Sequence, residues 1–381
     1  MTDVLLHADT VTSAALRHEV PLAIIDPFTY LEVDGRAVIV TNVLERARIA
    51  EARPDAELIG LEELGIFELI AGGMTRPDAE LEVISRAVSR AGMRSASVPP
   101  ELPVAVADRL RADGVELVVD RDEFVARRRV KSPSELEGIL RAQRAAEAGM
   151  AAAASLLHGA TPKDGRIVLD GEVLTAERVR AALRDACAAA GAPAPPDVMV
   201  ITALSGGGHD PGSGPLPAAL PIVIDLWPRD ESTGCWADMT RTFVVGEPSD
   251  DVLALHELVG VALSASRSAI RPGRTPREIY DVAADVFEQA GHRTQRTRKE
   301  GEQLTEGFYF ALGHGVGLEV HEPPTLGLAK GEAPLVVGDV LALEPGVDGL
   351  PGIGGMRFED LVLVTEDGCE TLTDYPYDLA P

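Results

Sequence analysis

Cysteine is scarce: Cys187, Cys235 and Cys369 are the full complement of three in 381 residues. They are scattered, odd in number and never in a C-x-x-C pair, which fits reduced thiols in a reducing compartment better than a disulfide framework. Long apolar runs are missing too. No stretch approaches 18 uninterrupted apolar residues, which argues against a membrane span. The opening MTDVLLHADTVTSAALRHEV lacks the basic n-region, apolar core and cleavage site of a secretory signal, so the cytoplasm is the expected compartment. Cations are in deficit, with 35 Lys and Arg against 61 Asp and Glu and a net charge of -26. Such a field repels nucleic-acid phosphates and anionic lipid, so neither partner is expected; it is compatible with divalent metal and also serves solubility. The region before residue 120 has no G-x-G-x-x-G after a strand and no G-x-x-x-x-G-K-[ST], which removes support for a nucleotide site there.

What is present is ordinary for a folded protein, 45% hydrophobic and 25% charged, and long enough for one large and one smaller domain. Residues 21 to 120 alternate strand candidates PLAIID, RAVIVTN and VELVVD with helical stretches such as LEVISRAVSRAG, the pattern of a small α/β domain. A boundary is expected at 130/131, giving domains 1–130 and 131–381. There a basic run precedes Ser132, Pro133 takes the first helical position, and Glu135 completes an S-x-x-E capping box. The helix so started runs to about Gly159. TAERVRAALRDACAAAG and REIYDVAADVFEQAG follow as helices, the latter with Ile279, Val282, Ala283 and Val286 at helical spacing. LPIVIDLW, TRTFVVG, DVLALEPGV and RFEDLVLVT read as strands, so the second part is expected to be α+β with antiparallel hairpins.

Five metal-ligand candidates sit in or beside those strands: Asp225, Asp238, His314, Glu344 and Glu359. Singly, each has a bland explanation, such as a strand-ending Asp or a core His. Together, four carboxylates flanked by apolar residues are costly to bury without cations, and with one imidazole they make an oxygen-rich shell suited to two divalent ions. In GHGVGLEVHEPP, His314 and His321 lie seven positions apart, an odd separation that sends them to opposite faces of an extended chain unless the glycines bend it. His209, in SGGGHDPGSG, is either a site residue or an incidental histidine in a glycine-rich loop. No Lys-Ser/Thr follows, so that loop is no phosphate cradle.

IVIDLW, DMTRTF, GHGVGLEVHEPP, LEPGV and GGMRFEDLVLVTEDGCETLT, in that order, resemble the pita-bread metallopeptidases, which include aminopeptidase P, prolidase and methionine aminopeptidase. RFED is similar to the R-x-E-D segment of the proline-directed branch. The resemblance implies a creatinase-like N-terminal α/β domain and a pita-bread catalytic domain, α+β overall. It puts Asp225, Asp238, His314, Glu344 and Glu359 on the ligand positions of two divalent ions, Mn2+ or else Co2+ or Zn2+, with Asp238 and Glu359 bridging. It also implies catalytic roles: Glu344 as proton acceptor and donor, His321 as donor to the developing oxyanion, His209 as a substrate contact. By strand alternation Arg357 shares a face with Glu359, where it serves the site or merely neutralises it.

The activity implied is removal of the N-terminal residue from peptides at Xaa-Pro bonds through a metal-bridging hydroxide, in a homodimer. The alternatives are a peptidase of other specificity, a metal-free creatinase-like hydrolase and a non-catalytic peptide-binding protein. Two features depart from the family. The thirteen-residue interval from Asp225 to Asp238 is two longer than usual, with PRDESTG at the hairpin tip and parity unchanged. Phe310 stands four before His314, where proline-directed relatives often carry another histidine.

Overall fold

In the computed structural model, which describes residues 3–203, 205 and 210–381, the chain divides into two units, Met1–Arg128 and Arg129–Pro381. The first holds strands β1 (Val4–Ala8), β2 (Phe28–Val33), β3 (Arg36–Thr41), β4 (Glu57–Gly60), β5 (Ser95–Val98) and β6 (Glu116–Val119) in one mixed sheet, ordered β4-β3-β2-β1-β5-β6. Alternation along the strands builds two cores. Leu5, Leu31 and Val38 face α3 (Ile66–Ala71), α4 (Arg76–Ala91) and α5 (Val104–Ala112). Their neighbours Leu6, Tyr30 and Ile39 face α1 (Ala14–Glu19), α2 (Arg46–Ala52) and Phe124 of α6 (Arg121–Arg129). PLAIID is not a strand. Thr10 takes its backbone groups instead, donating its amide to the Ile24 carbonyl at 3.0 Å and accepting the Ile24 amide on its hydroxyl at 2.8 Å, which leaves Ile25 exposed.

The second unit opens with α7 (Pro133–His158), where Ser132 Oγ accepts the Glu135 amide and Glu135 accepts the Ser132 amide, the reciprocal cap its sequence predicts. β7 (Thr161–Lys163), β8 (Arg166–Leu169) and β9 (Glu172–Val173) form a small sheet before α8 (Ala176–Ala189). α7 and α8 cover one face of the antiparallel sheet β10 (Met199–Ile201), β11 (Ile222–Leu226) and β12 (Met239–Phe243) through Met150, Leu183, Ile224 and Met239. α9 (Asp250–Ala269) and α10 (Pro276–Gln289) cover a second sheet, ordered β14-β13-β15-β18-β19. Its strands are β13 (Gly313–Gly315), β14 (Glu322–Leu326), β15 (Val340–Leu343), β18 (Asp360–Val364) and β19 (Cys369–Thr371), with the hairpin β16 (Gly346–Leu350) and β17 (Gly354–Arg357) between.

DVLALEPGV and RFEDLVLVT, each read as one strand, are both broken in the middle. β15 stops before Glu344 because Pro345 has no amide to continue a ladder. β17 stops before Phe358, and the Glu359 amide leaves to donate to the Thr240 carbonyl of β12 at 3.1 Å. The two glutamates proposed from sequence as ligands thus sit at the two breaks.

Candidate metal centre

β11 and β12 pair with Asp225 opposite Thr240, so Asp238, two residues before Thr240, lies on the same face as Asp225. Helices α7 and α8 bury the other face, leaving this one for polar groups. The enlarged tip of the hairpin is ordered by Asp230, which accepts from Arg141 at 2.9 and 3.0 Å and from the hydroxyls of Ser232 and Thr233. Burial opposes ionisation there, but these donors hold its carboxyl well below the usual range.

His314 pairs with Thr325 of β14 on one side and Ala342 of β15 on the other, on the face opposite the α9–α10 core. Its neighbours must be glycine. A Cβ on Gly313 would meet the Ala342 carbonyl oxygen at 2.0 Å, and one on Gly315 would meet that of Pro323 at 2.6 Å. The His314 Nδ1 lies 3.1 Å from the Gly315 carbonyl, which only accepts, so Nδ1 carries the proton. Burial, then nearby His321, push its pKa down to about 4, so the ring is neutral near pH 7 and Nε2 holds a lone pair. That lone pair lies 3.7 Å from Asp238 Oδ2 and 3.7 Å from Glu344 Oε1, directed into the carboxyl cluster.

Three overlapping sets of ligand atoms, each within 4.8 Å of one another, result: Asp225, Asp238 and Glu359; His314, Glu344 and Glu359; Asp238, His314 and His321. Asp238, His314 and Glu359 each belong to two sets. Burial, then repulsion from the neighbouring carboxylates, hold Asp238 and Glu359 well above the usual carboxylate range. Burial, with Asp225 and Asp348 adding to it against Arg357, brings Glu344 to about 7. Thr240 Oγ1 donates to Glu359 Oε2 at 2.8 Å, and buried Arg241 donates to the carbonyls of Thr240 and Glu359.

Arg357 brings a fixed positive charge, with Nη1 at 3.1 Å from Asp225 Oδ2 and 3.7 Å from Glu344 Oε2, and Nη2 at 3.0 Å from Asp348 Oδ2. Its guanidinium lies over the Phe310 ring, 4.7 Å from the centroid. One such cation does not balance four carboxylates, three of them buried and Glu344 half-buried. The neutral His314 imidazole, its Nε2 lone pair directed into the cluster, and the oxygen-rich donor set therefore fit a pair of hard-to-borderline divalent ions.

The chain bends over residues 316–321, so His321 returns to the cluster, its ring perpendicular to that of His314 with centroids 4.2 Å apart. His209 lies outside the described residues. A cavity of about 710 Å3 opens on the cluster, walled on its apolar side by Met199, Trp227, Tyr309, Phe310 and Val320. Sequence reasoning missed Thr240, Arg241 and Asp348. Thr240 carried a signal, two residues beyond Asp238 on one strand face; Asp348 carried none, since only the β16–β17 hairpin brings it to Arg357.

The model of metallopeptidase family M24 matches residues 137–366. The probable dipeptidase PepE of Mycobacterium tuberculosis is 37% identical over 158 residues, 42% of this chain and 38% of that protein. The Xaa-Pro dipeptidase of Pyrococcus furiosus is 37% identical over 154 residues, 40% and 39% of the two chains. The matched segments thus span about two-fifths of these curated relatives' length. Among solved structures, the X-Pro aminopeptidase from Thermotoga maritima MSB8 superposes with a TM-score of 0.78 at 22% identity, covering 99% of this chain and 97% of that one. The prolidase from Pyrococcus horikoshii OT3 gives 0.75 at 22% identity, covering 100% and 95%. The fold is shared over both units.

Proposed function

The chain belongs to metallopeptidase family M24, and from that premise we propose that it hydrolyses the N-terminal residue from peptides, with Xaa-Pro bonds as its preferred targets. The observation that carries this reading is the convergence of Asp225, Asp238, His314, Glu344 and Glu359 on one cavity. These five would hold two divalent ions, Mn2+ first among Mn2+, Co2+ and Zn2+. Such ions supply Lewis acidity toward a carbonyl oxygen and lower the pKa of water toward neutrality.

The residues divide the remaining work. Glu344 accepts the proton of the attacking water and returns it to the leaving nitrogen. His321, beside the cluster, donates a hydrogen bond to the carbonyl oxygen as it gains charge. Arg357 screens Asp225 and Glu344 and keeps both carboxylates turned inward. The aromatic wall of Trp227, Tyr309 and Phe310 packs on the substrate and excludes water from its scissile bond. His209 is proposed as a substrate contact from sequence position alone. The names of the relatives, an Xaa-Pro dipeptidase and an X-Pro aminopeptidase, support proline-directed cleavage. A second reading, the same hydrolysis without a proline requirement, draws on Phe310, whose ring covers Arg357 where the resemblance anticipates a histidine.

The test is a panel of Mn2+, Co2+ and Zn2+ against Xaa-Pro dipeptides, Xaa-Pro-Yaa tripeptides and peptides without proline. Metal-dependent cleavage is expected, highest on the proline substrates; undiminished turnover after chelation would overturn the reading. Glu344→Gln is expected to lower kcat by about 10²- to 10⁴-fold in a folded protein. A homodimer and a cytoplasmic location complete the proposal, tested by light scattering and cell fractionation. Among the described residues no helix is long and apolar enough to cross a membrane.

A further inference from the structure

The basic run ahead of α7 takes no part in the chemistry above. Two of its cations, Arg129 and Lys131, belong to the second unit. Arg129 holds buried Asp339 from two nitrogens, at 2.9 and 2.6 Å. Lys131 Nζ binds the carboxylate of Glu322, and both side chains are nearly sealed from solvent, 5% and 4% exposed. Between them Val130 lies against Gly338, where an added Cβ would come within 3.0 Å of Val130 Cγ1.

The Lys131–Glu322 pair lies directly under the bend at 316–321. A Cβ on Gly317 would meet Glu322 Oε1 at 2.7 Å and Lys131 Nζ at 2.9 Å, so the bend rests on the pair. Backbone hydrogen bonds fasten its near end: Val316 donates to the Val340 carbonyl at 2.9 Å and Trp236 donates to the Gly317 carbonyl at 2.8 Å. At its far end, His321 immediately precedes Glu322, the first residue of β14. The two adjacent side chains go to different places: Glu322 is buried against Lys131, and the His321 ring meets His314. A buried ion pair is often replaceable as a whole by apolar residues without loss of stability, so the charges here have a positional role to fill.

We infer that the buried Lys131–Glu322 ion pair is a positioning device that sets the bend and aims His321 at the metal cavity. Lys131 is not among the residues that line the cavity or make up the ligand sets; it acts through Glu322 and the chain it anchors. This rests on the proposed role of His321 in hydrolysis.

A double-mutant cycle on the metal-loaded, full-length protein tests it. Lys131→Met is expected to lower kcat by about 10- to 100-fold, the usual cost of removing a support behind a site residue, with KM and bound metal per chain unchanged. Lys131→Arg should restore most of the rate. In a His321→Ala background, Lys131→Met should have no further effect, because both changes remove one contribution. Amide hydrogen exchange over 316–322 should quicken in Lys131→Met, a readout independent of turnover. Wild-type kcat in Lys131→Met, or losses that multiply with His321→Ala, would overturn the inference. If His321→Ala alone leaves kcat intact, the role of His321 falls and this inference with it, while metal-dependent hydrolysis stands. Should Lys131→Met not fold, Lys131→Met/Glu322→Leu supplies an apolar pair; it is expected to fold and stay slow, and wild-type turnover in it would equally overturn the inference.

Discussion

Thr240 is a small residue with a large share in the arrangement of the cluster. It stands opposite Asp225 in the β11–β12 ladder, its carbonyl accepts the Glu359 amide, and its hydroxyl donates to the Glu359 carboxylate. Two carboxylates from distant segments therefore take their positions from one side chain and its backbone. Thr240→Val keeps the volume and removes the hydroxyl. The expected outcome is about 10- to 100-fold weaker metal binding by calorimetry in a folded protein, as for other groups that orient a ligand. Arg357 makes a parallel case. Its two terminal nitrogens hold Asp225 and Asp348 separately, a fork that a single ammonium cannot reproduce. Arg357→Lys is therefore expected to lower kcat/KM by about tenfold or more in peptide assays, each tenfold being roughly 1.4 kcal/mol of transition-state stabilisation. Neither partner of Arg357 could be named from residues alone, because period-2 alternation speaks only of neighbours on one strand.

Among the elements, β13 is three residues long and carries one ligand candidate between two glycines. Both neighbouring strands approach over those glycines more closely than any side chain allows. Gly313→Ala forces a Cβ to within 2.0 Å of the Ala342 oxygen, so β15 must move and His314 with it. The expected cost is about 1 to 3 kcal/mol in denaturant unfolding, the usual range for overpacking, together with loss of metal stoichiometry. The elements also divide by how they were signalled. Helix α7 was legible because its reciprocal cap is local, a matter of three residues. Helix α9 was overlooked although Ser249 caps it and two aspartates open its first turn. PLAIID misled because its apolar run is right for a strand, yet Thr10 captured its backbone. DVLALEPGV and RFEDLVLVT were right in composition and wrong in continuity: a proline ended one, and an amide drawn away to β12 ended the other.

For the molecule as a whole, Asp238, Glu344 and Glu359, in a chain of net charge -26, make the metal-free state sensitive to pH. Folding raises the pKa of Glu344 from 4.5 to about 7 and lifts Asp238 and Glu359 well above their ordinary values. The folded chain then keeps protons that the unfolded chain has already released. The stability linked to Glu344 is full below pH 4.5 and is lost as the pH climbs through about 7. Chelated protein is thus expected to melt at lower temperature at pH 8 than at pH 5.5 in calorimetry, and saturating Mn2+ should close most of that gap by binding the folded state alone. Asp238→Asn/Glu359→Gln should flatten the dependence, which separates the cluster from the general repulsion of an acidic chain.

The residue types and their order were determined by the sequence alone. Four carboxylates and an imidazole set in apolar strands call for cations wherever they meet, and an odd interval between two aspartates on an antiparallel hairpin leaves them on one face despite a longer tip. Only the tertiary structure decided that they meet at all. Asp225 and Glu359 are joined through Thr240, His321 is brought beside His314 by a bend resting on Lys131 and Glu322, and Arg357 finds Asp348 across a hairpin. The physical reason is range: strand alternation and helix caps act over a few residues, whereas contacts between distant segments depend on sheet register and on where the strands break.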